Sequence, residues 1–95
     1  MLRITVREHP EEERWVLQGR LHKGSVQELI SSWSACRARQ CRRVVDLDEV
    51  TSIDRSGEEA LLMMIGDGAE LVASGIYTRH LIEELKARNR NLPQH

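Results

Sequence analysis

The stretch VVDLDEVTSIDRSGEEALLMM, Val44 to Met64, changes its period partway through. Val44-Val45-Asp46-Leu47, with Arg43 before it, is short and β-branched, the composition of a strand buried in the middle of a sheet. A polar interval follows, then Val50 to Ile53, then the tight cluster Asp54-Arg55-Ser56-Gly57. Behind Glu58 and Glu59, the residues Ala60, Leu61, Met64 and Ile65 recur at helical spacing and give a helix its buried side. A strand, a polar turn and a helix in this order form the junction where α/β folds place function, at the carboxyl end of a sheet strand.

Working outward, Gly66-Asp67-Gly68 supplies the backbone freedom that a helix end needs. Ala69 to Ala73 then reads as a short strand and Ser74-Gly75 as a turn. Thr78 is expected to cap a last helix whose apolar side is Leu81, Ile82 and Leu85. Asn89 onward, with Pro93, reads as a fraying tail, so the folded unit is expected over residues 1–88 and the tail over 89–95. Toward the amino terminus, Leu2, Ile4 and Val6 alternate with Arg3, Thr5 and Arg7, the period of a half-buried strand. Arg14-Trp15-Val16-Leu17-Gln18 follows as its hairpin partner, broken by Gly19. Val26, Leu29, Ile30, Trp33 and Cys36 then mark a helix from Gly24 to about Arg39, with Ser25 or Gly24 as its cap. The order β-β-α-β-α-β-α implies an α/β fold, a single small domain with a mixed, mostly parallel sheet of about four strands flanked by helices.

At 95 residues the chain has one core and no room for a large enclosed cavity. Phe is absent and only Trp15, Trp33 and Tyr77 are aromatic, so the core is expected to be aliphatic. With 14 Lys and Arg against 15 Asp and Glu, the near-neutral charge argues against a nucleic-acid or anionic-membrane binder. The acidic run from Glu8 to Glu13 and the basic residues Arg37, Arg39, Arg42 and Arg43 read as solvated faces. The longest apolar run, Ala60 to Ile65, is too short to span a bilayer, and no signal-peptide pattern opens the chain, so a cytoplasmic protein without membrane insertion is expected. Cys36 and Cys41 lack zinc spacing, and Cys36 is expected in the core; no metal or cofactor is expected.

The helix start carries two readings. Ser56-Gly57-Glu58-Glu59 has the S-x-x-E pattern of a capping box, in which Ser56 holds the Glu59 amide and Glu59 reaches back. A serine at a helix start is also an exposed target for phosphorylation, which adds up to about two negative charges, with Arg55 available to pair with them and Asp54, Glu58 and Glu59 opposing. No nucleophile–base–orienter set is legible, since Ser56 has no histidine near it in sequence and His80 reads as a surface residue; an enzyme is not expected.

The segments Val44-Val45-Asp46-Leu47, Val50, Ile53-Asp54-Arg55-Ser56-Gly57, Leu61-Leu62 and Gly68-Ala69-Glu70-Leu71-Val72 with Gly75 resemble the STAS domain of sulfate transporters and bacterial anti-sigma factor antagonists. The resemblance implies the fold derived above. It implies a regulatory protein of transcription without catalytic activity, working by partner switching. Ser56 stands at the serine that a kinase partner, itself the anti-sigma factor, phosphorylates in that family, with Asp54 and Gly57 at the flanking motif positions. Arg55 replaces a motif serine, and Glu58-Glu59 replaces small or apolar residues. Asp54, Arg55, Ser56, Gly57, Glu58 and Glu59 are therefore the expected partner-binding surface. The alternative is an unphosphorylated adaptor subunit of a membrane-transport or signalling-scaffold assembly. Leu62 and Met63 offer a patch for a homodimer.

Overall fold

The computed structural model describes residues 2–35 and 42–90. Four strands and three helices alternate as read from the sequence: β1 (Leu2–Glu8), β2 (Glu12–Leu21), α1 (Lys23–Ala35), β3 (Arg42–Ile53), α2 (Arg55–Gly66), β4 (Glu70–Val72) and α3 (Ile76–Arg90). The sheet order is β1-β2-β3-β4, with β1 antiparallel to β2 and the remaining pairs parallel. Apolar side chains from all three helices join Trp15, Leu17, Leu21, Val45, Leu47 and Leu71 in one core. Because neighbours along a strand alternate between faces, Arg14 and Asp46 lie on the opposite side, where they pair at 3.1 Å. Arg42 with Glu70 and Gln18 with Glu49 add further polar contacts.

Five details depart from the periodicity. Strand β3 is continuous through Asp48 and Glu49, where a polar break was expected. It runs beside β2 from Glu12↔Arg42 to Leu21↔Ile53, and register shifts between Val16 and Gln18 and between Gly19 and Arg20 take up its extra length. The Asp46 carboxylate holds the Asp48 amide at 2.9 Å within the first shift. Gly19 sits inside β2 with φ 107°, so it bends the strand at the second shift without ending it. Helix α1 starts at Lys23, with the His22 carbonyl accepting from the Ser25 and Val26 amides; the Ser25 hydroxyl donates to the Arg20 carbonyl and caps nothing. Helix α3 starts at Ile76, leaving Thr78 inside its first turn, because the Gly75 carbonyl accepts from the Arg79 amide. It continues to Arg90, through the expected start of the tail.

The expected aliphatic core is also corrected. Trp15 and Trp33 are buried and meet edge to face, with centroids 5.1 Å apart. Above them Arg43 stacks 4.0 Å from the Trp33 ring and donates to Glu13, which accepts in turn from the Trp15 indole at 2.7 Å. The two indoles bring large apolar area to a small chain while their N–H groups keep partners, the Trp33 indole donating to Asp67. Arg43 and Glu13 are thus a largely buried clasp between β2, β3 and α1, whereas both had read as solvated charge. Cys36, Arg37, Arg39 and Cys41 lie outside the described residues, as does the chain beyond Arg90.

Candidate functional site

Strands β2 and β3 end in register at Leu21 and Ile53, so the helices that follow them begin side by side. Asp54 ties the two starts together. Its amide donates to the Leu21 carbonyl at 3.2 Å. Its Oδ1 accepts from the Gly57 amide at 2.8 Å, and its Oδ2 from the Lys23 amide at 3.0 Å. One carboxylate therefore caps α2 and receives the first amide of α1. These amides, Gly57 first and Lys23 second, hold the Asp54 carboxyl below the usual aspartate value.

The expected capping box does not form. The N-cap of α2 is Asp54, with φ −93° and ψ −175°, and the helix begins at Arg55. Ser56 is the second residue of the helix, and its hydroxyl makes no hydrogen bond among the described residues. Ser56 as cap would start the helix two residues later and hold the Glu59 amide; the earlier start wins because β3 ends with Asp54 beneath the Gly57 amide. Gly57 is required by close approach. A Cβ there would lie 2.4 Å from the Leu21 carbonyl oxygen and 2.9 Å from Ile53 Cγ2, so only glycine lets the first turn of α2 rest on the end of β2.

The six residues that the sequence groups together point in different directions. Ser56 and Glu59 line an open groove of about 440 Å³ between α1 and α2, with Val26, Ile30, Lys23 and Met63 as the other principal walls. Arg55 extends into solvent near Glu59, at 4.0 Å. Glu58 turns toward α3, where its carboxylate accepts from Arg88 at 3.2 Å. Asp54 and Gly57 build the junction itself. Of the apolar pair considered for self-association, Leu62 packs against the core and Met63 is exposed at the groove.

Sequence reasoning did not place Lys23, Val26 and Ile30 in this site, since they belong to the preceding helix and β3 lies between. Such reasoning also missed the hydrogen bond between Ser52 Oγ and His22 Nε2, 2.8 Å long, which pairs residues 30 apart at the strand ends. This contact resembles the first two members of a nucleophile–base–orienter set. Asp54, the nearby carboxylate, is bonded to the Gly57 and Lys23 amides, and the Ser52–His22 contact joins the ends of β2 and β3. His80 is exposed on α3. Among the described residues no three His, Cys, Asp or Glu side chains gather as a metal site, and no helix is long and apolar enough to cross a membrane.

A four-stranded mixed sheet with its helices in one core and a groove at the carboxyl ends of its parallel strands defines a small α/β domain of known type. No protein-family model and no curated protein matches the sequence. Among solved structures the chain is similar to an anti-sigma factor antagonist from Mycobacterium paratuberculosis, at 21% identity over 98% of this chain and 84% of that one, with a TM-score of 0.78. It is also similar to an anti-sigma factor antagonist STAS domain from Rhodobacter sphaeroides, at 24% identity over 80% of this chain and 88% of that one, with a TM-score of 0.59. A third likeness is to an uncharacterised protein with a SpoIIAA-like fold from Shewanella loihica, at 10% identity over 99% and 82% of the two chains, with a TM-score of 0.55. The fold of this protein is that of the STAS domain of anti-sigma factor antagonists.

Proposed function

We propose that the protein is a cytoplasmic regulatory module of the anti-sigma factor antagonist type. It binds a kinase-like protein partner through the groove between α1 and α2 and the first turn of α2, and it is released when that partner phosphorylates Ser56. The observation that carries this reading is the Ser56 hydroxyl. It lies on the groove without a hydrogen bond among the described residues while Asp54 does the capping, so the cap of α2 does not occupy it. In the transfer, the bond from Pγ to the bridging oxygen of the partner's nucleoside triphosphate breaks and the bond from Ser56 Oγ to phosphorus forms. The diphosphate leaves, and the hydroxyl proton passes to a base on the partner. The product places up to about two negative charges at the groove mouth, which alters a docking surface without unfolding it.

The test pairs the unmodified protein with a candidate anti-sigma kinase, by calorimetry without nucleotide and by mass spectrometry after ATP is added. Nanomolar to micromolar binding, phosphate on Ser56 alone, and binding weakened at least tenfold once Ser56 is phosphorylated are expected. Equal binding of modified and unmodified protein refutes the switch and leaves the adaptor of a transport or scaffold assembly as the surviving account.

A further inference from the structure

Lys23 opens α1, Ser56 lies in the first turn of α2, and the two line the same groove from opposite walls. Their backbones are tied through one carboxylate, with the Lys23 amide on Asp54 Oδ2 at 3.0 Å and the Gly57 amide on Oδ1 at 2.8 Å. Residues 23 and 56 therefore stand within the reach of one lysine side chain. Lys23 is exposed, and its ammonium has no acidic partner among the described residues.

The other charges around the groove single this residue out. On α2, Ser56, Glu59, Ala60 and Met63 follow the i, i+3, i+4, i+7 stripe that faces α1. Arg55 is Ser56's neighbour in sequence, but adjacent helix positions do not face each other, and its guanidinium lies near Glu59. Glu58 is turned to Arg88 on α3, and His22 is bonded to Ser52. Asp54 and Glu59 are anionic and repel a phosphate. Among the described residues that line the groove, Lys23 is the one cation, and it stands opposite Ser56.

We infer that Lys23 is the intramolecular counter-ion of a phosphoryl group on Ser56 and that the resulting pair bridges α1 to α2, closing the mouth of the groove. This deepens the proposed switch: modification acts by obstructing the groove as well as by changing its charge.

The experiment needs no kinase. Phosphoserine is installed at position 56 during synthesis of the full chain, and its second ionisation is followed by ³¹P NMR in wild type, Lys23→Met and Lys23→Arg. The wild-type midpoint is expected roughly 0.2–0.7 pH units below that of Lys23→Met, with Lys23→Arg close to wild type and the difference shrinking at high salt. Coincident midpoints in wild type and Lys23→Met overturn the inference. Should Lys23→Met fail to fold, the wild-type midpoint in buffer is compared with that in denaturing urea after correction against a phosphoserine peptide; no difference is equally fatal. Because the phosphate is installed synthetically, absence of any kinase for Ser56 leaves this result intact. A working kinase switch with coincident midpoints removes only the Lys23 pair.

Discussion

Replacing Gly57 by alanine sets helix propensity against packing. In an exposed helix the change stabilises by about 0.5–1 kcal/mol, since glycine loses the most backbone entropy. Here the new methyl would sit 2.4 Å from the Leu21 carbonyl oxygen, about 1 Å inside ordinary contact, with Ile53 Cγ2 at 2.9 Å on its other side. The carbonyl cannot yield cheaply, because it accepts the Asp54 amide at 3.2 Å and sits at the end of a paired strand. Relief must come from lifting the first turn of α2, which strains the bonds that Asp54 makes to both helices. Overpacking of this kind costs about 1–3 kcal/mol, so a net loss of about 1 kcal/mol is expected after the propensity gain. For a domain of this size that lowers the melting temperature by roughly 6 °C. Gly24→Ala is the control, since a Cβ there meets nothing within 4 Å, and it should stabilise slightly. Urea denaturation with an unchanged m-value reads both. If Gly57→Ala gains stability as Gly24→Ala does, α2 is not seated on Leu21 and the geometry given for Ser56 is wrong.

Ser56→Ala should change stability by less than about 0.5 kcal/mol in thermal melts, whereas loss of a true cap costs about 1 kcal/mol. Asp54→Asn should lower the melting temperature at neutral pH and flatten its acid dependence. The native Asp54 carboxyl lies below its ordinary value of 3.8, so its contribution is complete above that pH and is lost as pH falls through the lower native value. Part of the acid loss should persist in this variant, because Asp48 is held low in the same sense by the Ser74 hydroxyl and then the Ser74 amide. Arg43→Met leaves the Glu13 carboxylate buried without its cation and should cost about 3 kcal/mol in urea denaturation; adding Glu13→Gln should recover at least about 1 kcal/mol, and strict additivity would contradict the clasp.

Residues 44–64 alone state strand, turn and helix, and the whole element order follows from periods of two and 3.6 that are local along the chain. The core positions Leu29, Trp33, Leu61, Met64, Leu81, Ile82 and Leu85 were legible for the same reason, as was the end of α2 at Gly66-Asp67-Gly68, where Gly68 has φ 96°. The resemblance to the STAS domain was carried by this segment together with Gly68 to Gly75 and pointed to the fold that the structure has. What failed were choices between chemically similar neighbours. Asp54 and Ser56 both carry good caps, and only the position at which β3 ends beneath α2 selects the aspartate. Asp48 and Glu49 look like a break until β2 supplies a partner through a shifted register. Arg43 and Glu13 look solvated until the two indoles stand beside them, and His22 and Ser52 become neighbours only when their strands end side by side. The groove belongs to this second group, since its walls come from separate helices. Periodicity fixes which face of an element is apolar, because that depends on residues a few positions apart. Partners 30 residues apart are decided by strand register, which no local pattern encodes.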